Sequence, residues 1–124
     1  MANPTIELKE RCKRFALRLI KLFRSLPRTD EARIIGKQLL RSGTSVAANY
    51  RAVCRARSRA EFVAKMGVVV EEADETVFWL ELLADGGILK PENLAALQKE
   101  ANELLAIFAA SQRTARSTIG QPNQ

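Results

Sequence analysis

The stretch RSGTSVAANYRAVCRARSRAEF, residues 41–62, decides how this chain folds. Its Ser42-Gly43-Thr44-Ser45 segment has the composition of a turn, and a break at Gly43 is one reading of it. Periodicity gives the other reading. At about 3.6 residues per turn, Arg33, Lys37, Arg41, Arg51 and Arg55 fall on one side of a helical wheel, with Ile35, Leu39, Val46, Tyr50 and Val53 opposite. Both stripes keep their phase across the small residues, which a loop has no reason to preserve. The spacing therefore predicts one long helix from about Asp30 to Arg57. Gly36, Gly43, Ala47 and Cys54 share a flank of it, where a neighbouring helix can approach closely. Such packing would offset the roughly 0.5–1 kcal/mol that a helix-interior Gly costs against Ala. Ser58-Arg59-Ala60-Glu61 reads as a capping box opening the next helix.

Working outward, a first helix is predicted from about Pro4 to Leu26, with Asn3 as its cap and Pro4 in its first turn. Leu8, Cys12, Phe15, Ala16, Leu19, Leu22, Phe23 and Leu26 form its inner stripe, and Pro27 stops it. A third helix is predicted from about Arg59 to Asp85, with a core stripe of Phe62, Met66, Val69, Val70, Ala73, Val77, Leu80 and Ala84. Val68, Phe78, Trp79, Leu82 and Leu83 lie off that stripe among Glu71, Glu72 and Glu75. Either another subunit covers this second apolar set or the intramolecular core is wide. Asp85-Gly86-Gly87 reads as a helix stop. A fourth helix follows from about Pro91 to Arg116, with Leu94, Leu97, Ala101, Leu104, Leu105 and Phe108 inward. Residues 118–124 have no apolar periodicity and are expected to be a disordered tail.

Long helices joined by short connections predict an all-α, antiparallel up-down-up-down four-helix bundle, a single domain over residues 1–117. The 124-residue length and 47% apolar content suit one core. MANPTIELKE lacks the pattern of a secretory signal, and Gly67–Val70 is far short of the about 20 residues that cross a bilayer. The expectation is a cytoplasmic protein with no membrane partner, in which Cys12 and Cys54 are reduced.

The motif Ser45-Val46-Ala47-Ala48-Asn49-Tyr50, followed by Arg57-Ser58 and Glu61-Phe62, resembles the central signature of the "four helix bundle proteins". That family includes the 23S rRNA intervening-sequence protein and the accessory variability determinant of diversity-generating retroelements. The resemblance spans about residues 6–115. Many members carry Pro at the position of Ala47 and Ala-Glu-Gly at Arg51-Ala52-Val53, so this chain looks like a more basic branch. The resemblance implies the same bundle, a ring-shaped homopentamer, RNA or DNA as partner, and, for the retroelement members, a reverse transcriptase.

Composition supports a binding role independently. The chain has no histidine, which removes the commonest general base and metal ligand. Its cysteines lack zinc spacing, its glycines form no phosphate loop, and the carboxylates Glu71, Glu72, Asp74 and Glu75 lie off the core stripe. No catalytic residue, metal ligand or cofactor is expected. Residues 1–65 carry 16 Lys and Arg against 5 Asp and Glu, whereas residues 66–124 carry 4 against 9. The expected nucleic-acid contacts are Arg33, Lys37, Arg41, Arg51, Arg55, Arg57 and Arg59, which would hold phosphates with little regard to sequence. Tyr50 lies on the apolar side, so base stacking is not indicated. The expected oligomer interface is Val68, Phe78, Trp79 and Leu82. The competing expectation is an interaction scaffold whose basic face meets an acidic protein or its own acidic third helix.

Overall fold

The computed structural model describes residues 3–119, which form four helices: α1 (Pro4–Arg24), α2 (Asp30–Val53), α3 (Arg59–Asp85) and α4 (Pro91–Ile119). Among these residues there is no strand. Short connections turn each helix back along its predecessor, giving the expected antiparallel bundle. α2 packs between α1 and α3, α3 packs between α2 and α4, and α1 closes on α4 along a thinner seam. Diagonal helices meet through core side chains. The Tyr50 ring of α2 lies 5.5 Å from that of Phe108 on α4.

α2 runs unbroken through Gly43. Its small polar residues can stay helical because their side chains bond within the helix. Thr44 Oγ1 donates to the Leu40 carbonyl at 2.7 Å, and the Asn49 amide donates to the Ser45 carbonyl and hydroxyl at 2.9 and 2.8 Å. Ser42 is wholly buried, with its Oγ 2.9 Å from Oγ1 of equally buried Thr76 on α3. The expected close approach is also present, and it is made by α1 and the connection that follows it. A Cβ at Gly43 would collide with Leu19 Cδ1, and one at Gly36 would collide with Leu26 Cδ1.

The helix ends differ modestly from expectation. α1 stops at Arg24, before Pro27, with Ser25 as cap; α2 stops at Val53 with Cys54 as cap, and the Arg55 and Ala56 N–H groups donate three residues back in a tightened last turn. Ser58 Oγ accepts the Glu61 N–H at 3.0 Å, while the Glu61 carboxylate points to Lys65 instead of completing the capping box. At the end of α3 only Gly87 is left-handed (φ 70°). Ile88 N–H donates to Leu83 O and Gly87 N–H to Ala84 O, the paired bonds that satisfy a helix terminus ending in this way. α4 continues to Ile119, so residues 118 and 119 of the expected tail are helical; residues 120–124 lie outside the described residues.

The α3 core stripe is rotated from the expected one. Met66, Val69, Ala73, Thr76, Leu80 and Leu83 are buried, whereas Phe62, Val70, Val77 and Ala84 are half-buried. The cause is that apolar residues such as Val68 and Phe78 also interrupt the acidic outer side of α3, so periodicity alone leaves its phase loosely defined. In the bundle the buried side packs on both α2 and α4, with Thr76 bonded to Ser42 of α2.

Candidate functional site

Six of the seven expected phosphate-binding side chains are exposed and, among the described residues, have no ion-pair partner. Arg33, Lys37, Arg51 and Arg55 lie on the outer face of α2 and in the turn after it, and Arg57 and Arg59 continue the charge to the start of α3. Arg33 also sits beside Arg24 and Arg28 in a shallow recess at the α1–α2 turn. That basic cluster at the opposite end was not visible as part of a linear stripe.

Arg41 behaves differently. Its guanidinium reaches Glu75 at 2.7 Å and Glu72 at 3.4 Å on α3. Its pKa is raised, first by the hydrogen bond to Glu75 and then by the charge of Glu72. Arg41 was expected to be free for phosphate, but its charge is balanced inside the chain. The wheel placed it correctly outside the core and gave no indication that α3 would bring two carboxylates alongside.

The expected interface residues divide into two groups. Val68 and Phe78 stand in solvent, 42% and 47% exposed. Trp79 and Leu82 are half-buried, with Trp79 packed on the core and its ring 5.0 Å from Phe78, edge to face. The Trp79 indole N–H is buried without a hydrogen-bond partner among the described residues. Around Val68 and Phe78, the outer face of α3 carries exposed Glu71, Asp74, Glu81 and Asp85.

Two further features depend on the three-dimensional arrangement. Arg11 of α1 grips Glu100 of α4 with two bonds of 2.7 Å and reaches Glu103 at 2.6 Å. The hydrogen bond from Arg11 holds the Glu100 pKa below its ordinary value. The second feature is an open cleft of ≈ 700 Å³ where the α2–α3 turn meets the start of α1 and the end of α4. Tyr50, Val53 and Phe62 supply its apolar wall, and Thr5, Ser111 and Thr114 add hydroxyls. Arg59 also lines it, and among the described residues no carboxylate does. Burial, then neighbouring Cys54, raises the Tyr50 pKa, so the phenol stays protonated. Both cysteines are free thiols, and burial pushes Cys12 up to about 12.

Among the described residues, no helix is long and apolar enough to cross a membrane, and no three His, Cys, Asp or Glu residues converge as a metal site would require. The arrangement is suited to electrostatic attraction of a polyanion along one edge.

Fold and surface together define a small all-helical bundle with exposed cations along α1, α2 and the turn after α2. The chain belongs to the 23S rRNA-intervening sequence protein family, which matches residues 5–110. It is similar to the crystal structure of a protein of unknown function from the S23 ribosomal protein family of Bacteroides thetaiotaomicron VPI-5482. Identity is 31%, covering 88% of this chain and 97% of that one, with a TM-score of 0.80. No curated protein matches the chain.

Proposed function

We propose that this protein is a non-enzymatic accessory factor that binds RNA or DNA as a homo-oligomer. Arg33, Lys37, Arg51, Arg55, Arg57 and Arg59 contact the nucleic-acid backbone in this reading. The observation that carries it is the row of exposed, unpaired cations along α2 and the turn after it. Phosphate contacts of this kind release counterions, so binding is tight at low salt and nearly blind to sequence. The outer face of α3 supports oligomerisation, since it leaves Val68 and Phe78 in water beside exposed Glu71, Asp74, Glu81 and Asp85. The family resemblance makes a pentameric ring the form to expect, in which the basic rows repeat and act multivalently. On the same resemblance a reverse transcriptase is a further partner, and the cytoplasm, which keeps Cys12 and Cys54 reduced, is the location.

The Arg41 pairs with Glu72 and Glu75 favour a second reading, a protein–protein scaffold in which acidic side chains of another chain cover the remaining arginines. Fluorescence anisotropy with mixed-sequence RNA and DNA separates the two. The first reading requires binding in dilute salt that weakens steeply as salt rises, and absence of binding in dilute salt would leave the scaffold. Light scattering tests assembly: a mass several times 13.8 kDa is expected, with Phe78→Glu reducing it while helicity is retained.

A further inference from the structure

We propose that the cleft at the α2–α3 turn is a nucleoside-phosphate site that receives the phosphate at Arg59 and the base against Phe62. The inference builds on the nucleic-acid reading above but stands on a separate observation, the cleft itself. Its volume of ≈ 700 Å³ falls within the roughly 300–1,000 Å³ of small-ligand pockets. Its lining is also of that kind, an apolar wall with a few polar groups. Phe62 is half-buried at the wall, and Tyr50 is held by its packing on Phe108, so the ring surfaces are pre-positioned. Thr5, Ser111 and Thr114 supply hydroxyls able to bond the edges of a base or sugar. Among the described residues the charge at the cleft is one-sided, because Arg59 lines it and no acid does.

The turn sequence explains why a nucleotide fits better than another anion. Between Cys54 and Arg59, the residues Cys54, Ala56 and Ser58 line the cleft, while Arg55 and Arg57 project into solvent beside it. A phosphate chain lying on those arginines passes the mouth of the cleft, and an unpaired base can leave the chain to stack inside. Phe62 follows Arg59 by one turn of α3, so the last cation of the row and the apolar wall are set by the same helix.

The same chemistry could reach the cleft as a free mononucleotide or as an unpaired residue of a strand. Calorimetric titration with adenosine 5′-monophosphate, with inorganic phosphate as comparison, tests the first source. Anisotropy with a blunt duplex and the same duplex bearing a single-stranded overhang tests the second. Ala110→Trp fills the cleft from an exposed position outside the basic row. It is expected to lower mononucleotide affinity or overhang preference by about tenfold, the scale of one lost stack, while blunt-duplex binding and helicity are unchanged. Blunt-duplex binding with neither mononucleotide binding nor overhang preference would overturn the cleft site and leave the backbone reading standing. Mononucleotide binding lost in Ala110→Trp, with no binding of either polymer, would keep the site and overturn the backbone reading. Binding of neither mononucleotide nor polymer, mononucleotide bound no better than phosphate without overhang preference, or indifference of both readouts to Ala110→Trp would refute the cleft site.

Discussion

Replacing Arg55 and replacing Arg41 with Ala should affect nucleic-acid binding very differently, although the two residues share one side of the helical wheel. Six of the seven expected phosphate contacts have no ion-pair partner among the described residues: Arg33, Lys37, Arg51, Arg55, Arg57 and Arg59. If each meets a duplex phosphate, the slope of log K against log salt is about −0.9 per contact, or about −5 for a protomer, and affinity falls roughly 10³-fold between 50 and 200 mM salt. Arg55→Ala removes one contact, so the slope should become shallower by about 0.9. Arg41 is held at 2.7 Å by Glu75 and 3.4 Å by Glu72 and has little free charge to contribute. Its slope should stay within about half of one contact of the parent. Anisotropy of a labelled mixed-sequence duplex over that salt range measures both, with circular dichroism as the folding control. Equal losses for the two variants, or a parent slope near zero, would refute the assignment of free and occupied cations.

The remaining predictions concern what holds the face in place. Thr76→Val and Ser42→Ala should each cost about 1 kcal/mol, and the double variant should fall short of the sum by about 0.5–1 kcal/mol, because both single variants lose the same Thr76–Ser42 bond while the remaining hydroxyl keeps its own-helix carbonyl, Leu39 or Glu72. Urea unfolding checks this, and additivity to within about 0.3 kcal/mol would show that the pair is not coupled. Gly43→Val should destabilise by about 1–3 kcal/mol through overpacking against Leu19, lowering the urea midpoint at constant m; an unchanged midpoint would mean that α1 yields easily. Because Arg11 depresses the folded-state pKa of Glu100, that carboxylate stabilises the fold above its unfolded value of about 4.3 and loses its contribution as pH falls through the lower folded value. Glu100→Gln should therefore lose less stability than the parent on acidification from about pH 5 to pH 3.

The sequence carried the helices and the basic row because both are local patterns. Val46, Tyr50 and Val53 keep the phase of Ile35 and Leu39, so α2 was legible through Gly43, and Asn3, Ser58 and Gly87 marked helix ends by cap chemistry that needs no tertiary context. α3 was legible in extent but not in rotation, since apolar residues such as Val68 and Phe78 also interrupt its acidic outer side and leave the core direction to be set by packing on α2 and α4. That packing explains why Leu83 is core, Trp79 leans inward and only Val68 and Phe78 of the second apolar set remain well exposed. The state of Arg41, the Arg11 grip on α4 and the cleft all require residues far apart in sequence to meet. No periodicity contains that information.

Charge placement also fixes where a bound strand can lie, and how long it must be. The exposed acids of α3 repel phosphate within a Debye length of about 8–10 Å, comparable to the width of one helix. Arg41, balanced by Glu72 and Glu75, marks the border between the two fields. A strand is therefore directed to the α1 side of α2, where Arg24 and Arg28 join Arg33 at one end of the bundle. Arg51, Arg55, Arg57 and Arg59 hold the other end. At about 1.5 Å per residue, Arg33 and Arg55 are separated by roughly 33 Å along the bundle, close to the roughly 34 Å of one duplex turn. Both basic clusters can engage only when the nucleic acid spans that distance. Affinity per protomer should thus rise sharply as a blunt duplex is lengthened from about 5 to about 10 base pairs and level off beyond. A smooth, proportional rise through that range would mean that contacts add one by one along the surface, and the two-cluster account would be wrong.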